Sequence, residues 1–283
     1  MILAAGYGTR LRPLTDELPK PLLPVGDRPA VHHVALALAR VAERVILNTH
    51  HRPEAFDGLS LPLPHVALCE PRILGTAGGV ANARALLGDG DVVVWNGDIL
   101  APVDLAALLS RRRVMGALAA WVVAPRARGE GTVGVSEDGL VVRVRGTTVG
   151  EEARGGDFLG VSALSPAAVA SLPGEGCLVG DVVEPALRRG ARVAAAWHEG
   201  PWDDIGTVRS YAAANARWLG ARPQFVAPSA RVAAGCDVRG SIVGDGAVVR
   251  AAVRGSIVLP GAEVDRPVER AVVTARGTIV PID

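Results

Sequence analysis

The order of apolar runs and polar loops in the first hundred residues predicts alternating strands and helices. Short apolar runs predict strands, and apolar residues at helical spacing predict helices. The predicted elements are strands at residues 1–5, 44–48, 66–69 and 92–95 and helices at residues 29–43 and 79–87. Because such alternation favours a mostly parallel sheet covered by helices, we expect ligands where loops leave the carboxyl ends of the strands.

The same pattern continues almost to residue 220. The further predicted elements are helices at residues 106–113, 179–189 and 208–219 and strands at residues 117–123, 131–135 and 158–163. We therefore predict that residues 1–220 form one α/β domain with a mostly parallel sheet.

Residues 221–283 show a different periodicity, which defines a second predicted domain. Val226, Val232 and Val238 recur every six residues, and after a one-residue shift the pattern resumes and continues to Val268. A six-residue period with Gly and Pro at the corners predicts a β-helix of hexapeptide turns, with room for about three coils. A few irregular β-strands are the alternative interpretation.

Composition excludes several classes of partner. Thirty basic residues against twenty-nine acidic ones leave a net charge of +1, and five Trp, two Tyr and three Phe are too few for a base-stacking surface. We therefore expect no nucleic-acid partner. No apolar stretch approaches about 18 residues, and the N-terminus lacks a basic segment followed by a long apolar one, so we expect no membrane partner.

The cysteines and the adjacent histidines give little indication of a metal centre. Cys69, Cys177 and Cys236 are odd in number and far apart, which favours neither a disulfide framework nor a zinc cluster and suggests a reducing, cytoplasmic location. His50 and His51 follow a predicted strand, where neighbouring side chains point to opposite sides. We expect them to have a structural role.

A glycine-rich loop follows the first predicted strand. Gly6 and Gly8 begin like a dinucleotide fingerprint, but Leu11 stands where the third glycine belongs. Such a loop can still present backbone N–H groups to phosphate. Lys20 is the only lysine among thirty basic residues and lies on a proline-flanked segment soon after Arg10. An accident of composition would explain the lone lysine, but its surroundings favour anion binding.

Together with further motifs along the chain, this glycine-rich segment resembles the sugar-phosphate nucleotidyltransferases, also called nucleotide-sugar pyrophosphorylases. The segment LAAGYGTRLRPLTDELPKPLLPVGDRP at residues 3–29 is similar to their signature almost throughout. Further similar motifs are LNTHH (47–51), EPRILGTAGG (70–79), WNGD (95–98), FLGV (158–161) and WDDIGT (202–207). Among subfamilies, the chain most resembles mannose-1-phosphate guanylyltransferases, and bacterial muramate-phosphate uridylyltransferases are also similar.

The resemblance implies a fold and a reaction. The expected fold is a Rossmann-like mixed, mostly parallel sheet with helices on both faces, followed by a short left-handed β-helix through which the chain would form a homo-oligomer. The expected reaction transfers a nucleotidyl group, with GTP favoured, to a hexose 1-phosphate, with mannose 1-phosphate favoured, and releases pyrophosphate. A sugar phosphate is already an anion at pH 7, so the protein must align and neutralise phosphates instead of supplying a base.

The resemblance also implies roles for individual residues. Asp98 and Asp204 would hold Mg²⁺, and Arg10 and Lys20 would act in catalysis by stabilising the triphosphate. The implied nucleotide-binding residues are Leu3, Ala5, Gly6, Gly8, Thr9, Glu70, Gly75, Thr76 and Gly78. The implied substrate-binding residues are Asn96, Gly97, Gly160 and Glu175. Asp203 adjoins Asp204, and motif alignment alone favours Asp204 as the ligand.

Two departures from the family pattern leave alternatives open. Many members have a Glu-Lys-Pro segment before the FLGV strand, whose lysine contacts the sugar phosphate. Residues 143–150 contain no lysine. The alternatives are that an arginine such as Arg143 or Arg145 replaces it, or that the sugar phosphate is held in another way. The tail is short and has no evident acyltransferase histidine, which disfavours acetyl transfer. The alternatives are a uridylyl-, thymidylyl- or adenylyltransferase, or a non-catalytic paralogue that binds nucleotide sugars and regulates a partner.

Overall fold

The computed structural model describes all 283 residues, and the chain divides into two compact units. The first unit comprises Met1–Gly6, Val34–Pro53 and Gly58–Trp202. The second comprises Tyr7–His33, Glu54–Asp57 and Asp203–Asp283. The glycine loop is therefore divided after Gly6, and the residues from Tyr7 onward belong to the same unit as the C-terminal coils. The expected boundary near residue 220 remains a prediction.

The secondary structure before the coils alternates as the apolar pattern predicts. The strands are β1 (Ile2–Leu3), β2 (Pro24–Val25), β3 (Arg28–Pro29), β4 (Val45–Thr49), β5 (His65–Cys69), β6 (Val92–Asn96), β7 (Ile99–Leu100), β8 (Ala119–Arg126), β9 (Val133–Val135), β10 (Val141–Val144), β11 (Thr147–Thr148), β12 (Arg154–Leu164), β13 (Val193–Trp197) and β14 (Asp203–Asp204). The helices are α1 (Leu14–Glu17), α2 (Ala30–Leu38), α3 (Gly75–Asn82), α4 (Arg84–Leu87), α5 (Leu105–Val114), α6 (Pro166–Ala170), α7 (Glu184–Arg188) and α8 (Val208–Leu219). Three 3₁₀ turns lie at Thr9–Leu11, Lys20–Leu22 and Pro53–Phe56, and a π-helical turn at Leu178–Val183 leads into α7.

The first unit is built on one mixed ten-stranded sheet. Strands β6, β1, β4 and β5 are parallel neighbours in that order. Strand β12 runs antiparallel to β6, β8 and β9, and β10 and β11 continue the antiparallel side. Strand β13 adds to β8 in parallel. Because β1, β4, β5 and β6 are parallel, the residues that follow them meet at one edge of the sheet.

Both faces of the central strands are covered. Val92 and Val94 of β6 belong to a core cluster with Ala77 and Val80 of α3, and the alternating residues Val93 and Trp95 are buried as well. Side chains alternate between the faces of a strand, so β6 has no solvent-facing side.

The C-terminal coils form three parallel sheets. Their strands are β15 (Gln224–Val226), β16 (Arg231–Val232), β17 (Val238–Arg239), β18 (Ser241–Val243), β19 (Val248–Val249), β20 (Val253–Arg254), β21 (Ile257–Val258), β22 (Glu263–Val264), β23 (Val268–Glu269), β24 (Ala271–Val273) and β25 (Ile279–Pro281). The sheets are β15-β18-β21-β24, β16-β19-β22 and β17-β20-β23, and β25 closes the first by pairing antiparallel to β24.

The strict six-residue repeat does not persist through these coils. Val238 pairs with Val253, and Val253 pairs with Val268, so each later coil advances by 15 residues where three hexapeptides would need 18. Buried valines still stack from coil to coil, and the buried side chains of Ser241 and Ser256 accept backbone N–H groups from the following coil. The shorter corners explain why the sequence pattern shifts register.

Other predicted elements differ in detail. The predicted helix at residues 79–87 is two helices, because α3 begins earlier, at Gly75, and ends before Ala83. Helix α2 ends at Leu38, five residues before the predicted end. The strands β10, β11 and β13 were not predicted, since each is short or rich in small residues. No helix combines the length and the apolar character needed to cross a bilayer.

Candidate active site

In the first unit, predicted site residues lie at the carboxyl ends of the parallel strands. Leu3 ends β1, Ala5 is buried, and Gly6 is exposed. The turn after β6 is closed on both sides: the N–H of Gly97 donates to the carbonyl of Leu3 at 2.9 Å, and the indole Nε1 of Trp95 donates to the carbonyl of Ile99 at 2.9 Å. The turn holding Asp98 is thereby fixed beside the end of β1.

Asn96 and Gly160 meet across the sheet. Strand β12 pairs with β6 in the register Val161↔Trp95, and its register against β8 shifts between Phe158 and Ser162. Gly160 lies in this irregular stretch with φ +68, and a Cβ there would lie 2.4 Å from Nδ2 of Asn96. Only glycine gives this backbone both the left-handed conformation and the space that the Asn96 amide occupies.

The loop that begins α3 packs against the segment before the π-helical turn. The N–H of Ala77 donates to the carbonyl of Gly176 at 2.8 Å, and the N–H of Leu178 donates to Oγ1 of Thr76 at 2.7 Å. A Cβ on Gly78 would lie 2.7 Å from Cα of Glu175, and one on Gly75 would lie 2.4 Å from the Gly176 carbonyl oxygen. The structure thus brings Gly75, Thr76 and Gly78 together with Glu175, whose exposed carboxylate pairs with Arg72 at 2.8 Å.

The Glu70 side chain is buried and hydrogen-bonded within the protein. Its side chain is 1% exposed, with Oε1 accepting from Nδ2 of Asn48 at 2.8 Å and Oε2 from the N–H of Leu74 at 3.2 Å. Both carboxylate oxygens are thus bound to the protein, and the nucleotide-binding role that the resemblance implies for Glu70 stays a prediction. The carboxylate therefore supports the loop before α3. His50 has the structural role we expected, since its Nδ1 lies 2.9 Å from the carbonyl of Glu70.

The two arginines considered as replacements for the missing lysine have different surroundings. Nε of Arg143 lies 2.6 Å from Glu152, and its guanidinium also donates to the carbonyls of Glu130, Gly131 and Val133. These contacts raise the pKa of Arg143, chiefly through the hydrogen bond to Glu152. The Arg143 guanidinium is thus used in hydrogen bonds within the protein. Arg145 is exposed, adopts φ +51, and places Nη2 3.4 Å from Sγ of Cys177.

In the second unit, Gly8 and Lys20 lie close together. The hydroxyl of Thr15 donates to the Gly8 carbonyl at 2.9 Å, and a Cβ on Gly8, whose φ is +64, would lie 3.5 Å from Cβ of Lys20. Thr9 is exposed and starts the 3₁₀ turn after Gly8. The fold therefore brings the lone lysine back to the glycine loop, as anion binding requires.

Arg10 and Asp204 meet at Gly206. A Cβ on Gly206 would lie 2.8 Å from Nη2 of Arg10 and 2.8 Å from Oδ1 of Asp204. Asp203 points elsewhere, since its carboxylate accepts from Nε of Arg217 at 3.1 Å and 3.2 Å. The ion pair with Arg217 distinguishes the two neighbouring aspartates and leaves Asp204 beside Arg10.

Helix α8 fixes the segment that carries Lys20. The hydroxyl of Tyr211 donates to the carbonyl of Pro24 at 2.7 Å, and Oδ1 of Asn215 accepts from the N–H of Gly26 at 2.9 Å. Burial raises the pKa of Tyr211, so it remains a neutral donor. The helix itself starts with a capping box between Thr207 and Ser210. Tyr211 and Asn215 were missed by sequence reasoning, although two polar residues four apart on a helix can share one face.

The carboxylates are suitable for Mg²⁺ without forming a complete cage. Magnesium in nucleotide enzymes is typically held by one or two carboxylates together with substrate phosphates and water. No group of three or more His, Cys, Asp or Glu side chains in the described chain is arranged to hold a metal ion. Asp98 in the first unit and Asp204 in the second each have the oxygen donors that Mg²⁺ prefers.

Comparison with known proteins shows that the chain is similar to nucleotidyl transferases. The family model described as "Nucleotidyl transferase" matches residues 1–145. Mannose-1-phosphate guanylyltransferase of Mycobacterium tuberculosis is 41% identical over 119 residues, which are 40% of this chain and 33% of that protein. N-acetylmuramate alpha-1-phosphate uridylyltransferase of Neisseria meningitidis is 35% identical over 227 residues, which are 74% of this chain and 93% of that protein.

A solved structure shows the same fold. HddC from Yersinia pseudotuberculosis, in complex with GMP-PN, superposes with a TM-score of 0.63 at 19% identity and covers 77% of this chain and 97% of that one. The match with the mycobacterial protein spans only a third of its length, whereas the match with the meningococcal protein spans nearly all of it.

Proposed function

The chain belongs to the nucleotidyl transferase family, and from that premise we propose that it transfers a guanylyl group from GTP to a hexose 1-phosphate, with mannose 1-phosphate preferred. The phosphate oxygen of the sugar attacks the α-phosphorus of the triphosphate. A new P–O bond forms, the bond to the β-phosphate breaks, and pyrophosphate leaves. The attacking oxygen carries no proton at pH 7, so no general base is needed.

The protein's part in this reaction is alignment and charge neutralisation. Two phosphate groups repel each other as they approach, and cations placed in advance offset that repulsion. We assign this role to the Arg10 guanidinium and the Lys20 ammonium. Asp98 and Asp204 would each supply an oxygen to Mg²⁺, which when bound neutralises phosphate charge.

The observation that carries the proposal is the cluster in the second unit. A Cβ on Gly206 would lie 2.8 Å from both the Arg10 guanidinium and the Asp204 carboxylate, and one on Gly8 would lie 3.5 Å from Cβ of Lys20. Close-packed charged groups of both signs around glycines are suited to an Mg²⁺–triphosphate, because the metal binds the carboxylate and the phosphates bind the cations.

For the sugar 1-phosphate we propose Arg145 as the cation that replaces the family's lysine. Arg143 is committed to Glu152, whereas Arg145 is exposed and lies beside the segment that carries Glu175. The positive φ of Arg145 is uncommon for a residue other than glycine and is typical of functional sites. Asn96, Gly97 and Gly160 would form the neighbouring part of the sugar site, and Leu3, Ala5, Gly6, Thr9 and the residues from Gly75 to Gly78 the nucleotide site.

A uridylyl transfer to an amino-sugar 1-phosphate is the second candidate. One observation favours it: the meningococcal uridylyltransferase aligns over 93% of its length. A non-catalytic regulator is a third reading, and it is disfavoured because a binder would not need Asp204 beside Arg10.

A pyrophosphate-release screen tests these readings together. GTP, UTP, dTTP and ATP are each combined with mannose 1-phosphate, glucose 1-phosphate and N-acetylmuramate 1-phosphate, in the presence and absence of Mg²⁺. We expect the highest kcat/KM for GTP with mannose 1-phosphate and loss of turnover without the metal. Equal or better turnover with UTP would overturn the guanylyl assignment, and no release from any pair would favour the regulator.

We also propose that the coils wind as a left-handed β-helix and mediate a homo-oligomer. Val232 is exposed in the first coil, and β16 has a partner strand, β19, on one side only, so this end of the stack offers an apolar edge for a second copy. Sedimentation of the full chain should give a multiple of 29.2 kDa, and Val232→Lys should lower that mass. A monomeric full chain would overturn the assembly proposal.

A further inference from the structure

The loop after β1 leaves the sheet at Ala4, where a side chain takes over the backbone pairing. Leu3 is the last residue of β1 and pairs with Asn48 of β4. The N–H of Ala4 has left the strand ladder and donates to Oδ1 of Asn48 at 2.9 Å. The direction in which the glycine loop departs is therefore set by the amide of Asn48.

The same amide is held from its other side by Glu70. Nδ2 of Asn48 donates to Oε1 of Glu70 at 2.8 Å, and Oε2 of Glu70 accepts the N–H of Leu74 at 3.2 Å. Leu74 immediately precedes α3. One hydrogen-bonded chain thus runs from Ala4 through Asn48 and Glu70 to Leu74.

This chain of hydrogen bonds is enclosed by the protein. Asn48 is 2% exposed and Glu70 is 1% exposed. A Cβ on Gly79 would lie 2.6 Å from Nδ2 of Asn48 and 3.0 Å from Oε1 of Glu70, so the glycine leaves room for both groups. A buried polar network of this kind holds one geometry when every member is satisfied.

We propose that Asn48 and Glu70 are positioning residues that couple two loops, the loop after β1 and the loop that begins α3, so that both are preorganised for the nucleotide. The inference rests on the proposed function, which assigns both loops to the triphosphate. Neither side chain needs to touch the nucleotide, because both act through the backbone at Ala4 and Leu74.

The direction of the hydrogen bonds makes the pair testable. The series of hydrogen bonds begins and ends with a backbone N–H donor, at Ala4 and at Leu74. The two side chains between these donors must therefore accept at both ends, and one side chain must donate to the other. An amide at 48 with a carboxylate at 70 satisfies this rule, and so does a carboxylate at 48 with an amide at 70. Two amides bring two donors together in one place, and two carboxylates bring two charges together.

The experiment is a four-protein cycle of wild type, Asn48→Asp, Glu70→Gln and the double variant. The dissociation constant of the triphosphate preferred in the screen is measured by calorimetry well below the melting temperature, with both KM values. We expect each single variant to raise the Kd and the KM of the triphosphate by about tenfold or more and to leave the KM of the sugar phosphate nearly unchanged. The double variant should return to within about threefold of wild type.

Amide hydrogen exchange gives a second readout that lost stability alone would not produce. In Glu70→Gln, exchange should accelerate at Ala4 as well as at Leu74, although the side-chain hydrogen bonds of Glu70 go to Leu74 and Asn48 and not to Ala4. Ser165→Ala is the matched control, since it removes a buried side chain that accepts the N–H of Ala168 at 3.1 Å in the same unit. It should lower the melting temperature and leave the triphosphate Kd unchanged.

The outcomes separate this inference from the proposed function. Equal triphosphate Kd values in all four folded proteins, or accelerated exchange in Glu70→Gln that spares Ala4, would overturn the coupling even if turnover is as proposed. A wild type that binds the triphosphate without turnover would overturn the transferase and leave the Kd cycle as the test of coupling. If a single variant gives no folded protein, the double variant must fold and bind; a double variant that does neither overturns the inference.

Discussion

Parallel strands build both the central sheet and the coils, but β1 of the sheet ends differently from the coil strands. In the coils, the residue that follows a strand still bonds to the neighbouring coil, as Gly244 does to Val258 and Arg250 to Val264, both at 2.8 Å. In the sheet, Ala4 leaves the ladder, and a side chain from β4 holds its N–H instead. In regular coils, the backbone N–H and C=O groups are used in hydrogen bonds between neighbouring coils. A loop that diverges from a sheet can instead present such groups to a ligand. This difference supports our proposal that the chemistry takes place at the strand ends of the sheet and in the glycine loop and that the coils have a structural role.

The largest expected effect comes from the carboxylates. Asp98→Asn and Asp204→Asn keep the shape of the side chain and remove the charge that would hold Mg²⁺, so each should lower kcat by about 1,000-fold or more with little change in melting temperature. Asp203→Asn is the matched control for Asp204, since Asp203 pairs with Arg217. Comparable losses in Asp203→Asn and Asp204→Asn would remove the distinction that the structure draws between them.

The next effect concerns Lys20. The chain uses arginine for its other twenty-nine basic residues, and Lys20 lies on a segment fixed by α8 through Pro24 and Gly26. A guanidinium is broader than an ammonium and would misplace the charge, so Lys20→Arg should lower kcat by about 100-fold at an unchanged melting temperature. Lys20→Ala should lose more. Near-normal turnover in Lys20→Arg would make the lone lysine an accident of composition.

Arg145 and Arg143 should separate binding from stability. Arg145→Ala should raise the KM of the sugar 1-phosphate by about tenfold and leave the melting temperature unchanged. Arg143→Ala should leave that KM unchanged and lower the free energy of unfolding by about 2 kcal/mol. The substitution removes the ion-pair partner of Glu152 and the donor to three backbone carbonyls. A raised sugar KM in Arg143→Ala alone would reverse the assignment.

The pair of Arg143 and Glu152 also predicts a pH dependence of stability. The hydrogen bond from Arg143 holds the pKa of Glu152 below its ordinary value. Since the folded pKa is the lower one, the stabilisation is present above the carboxyl's ordinary pKa and disappears as the pH falls through the lowered one. Acid unfolding curves of wild type and Arg143→Ala should therefore converge at low pH; a constant difference would show that packing alone accounts for Arg143.

The smallest effect is expected in the coils. Arg250 pairs with Glu263 and Asp265 at 2.8 Å and 2.7 Å on the exposed surface. Exposed ion pairs contribute little to stability, so Arg250→Gln should change neither the melting temperature measurably nor any kinetic constant. A loss of turnover in this variant would break the division of roles between sheet and coils.

The sequence by itself determined the order of elements and most candidate residues. Apolar runs and helical spacing depend on local chemistry, so the strands at β4, β5 and β6 and the helix α8 were predicted close to their observed bounds. Motif resemblance named Arg10, Lys20, Asp98 and Asp204. The six-residue valine period indicated coils, although a linear pattern could not show that later corners are shorter.

Only the tertiary structure decided what each polar group bonds to. Motif alignment alone separates Asp204 from Asp203 in the sequence, and the structure adds the ion pair of Asp203 with Arg217. Arg143 and Arg145 remain alternatives in the sequence, and the structure shows that Arg143 binds Glu152. Asn48 and Glu70 stand twenty-two positions apart and become partners because β4 and β5 are neighbours in the sheet. Hydrogen bonds between side chains distant in the chain depend on strand order and register, which local periodicity does not encode.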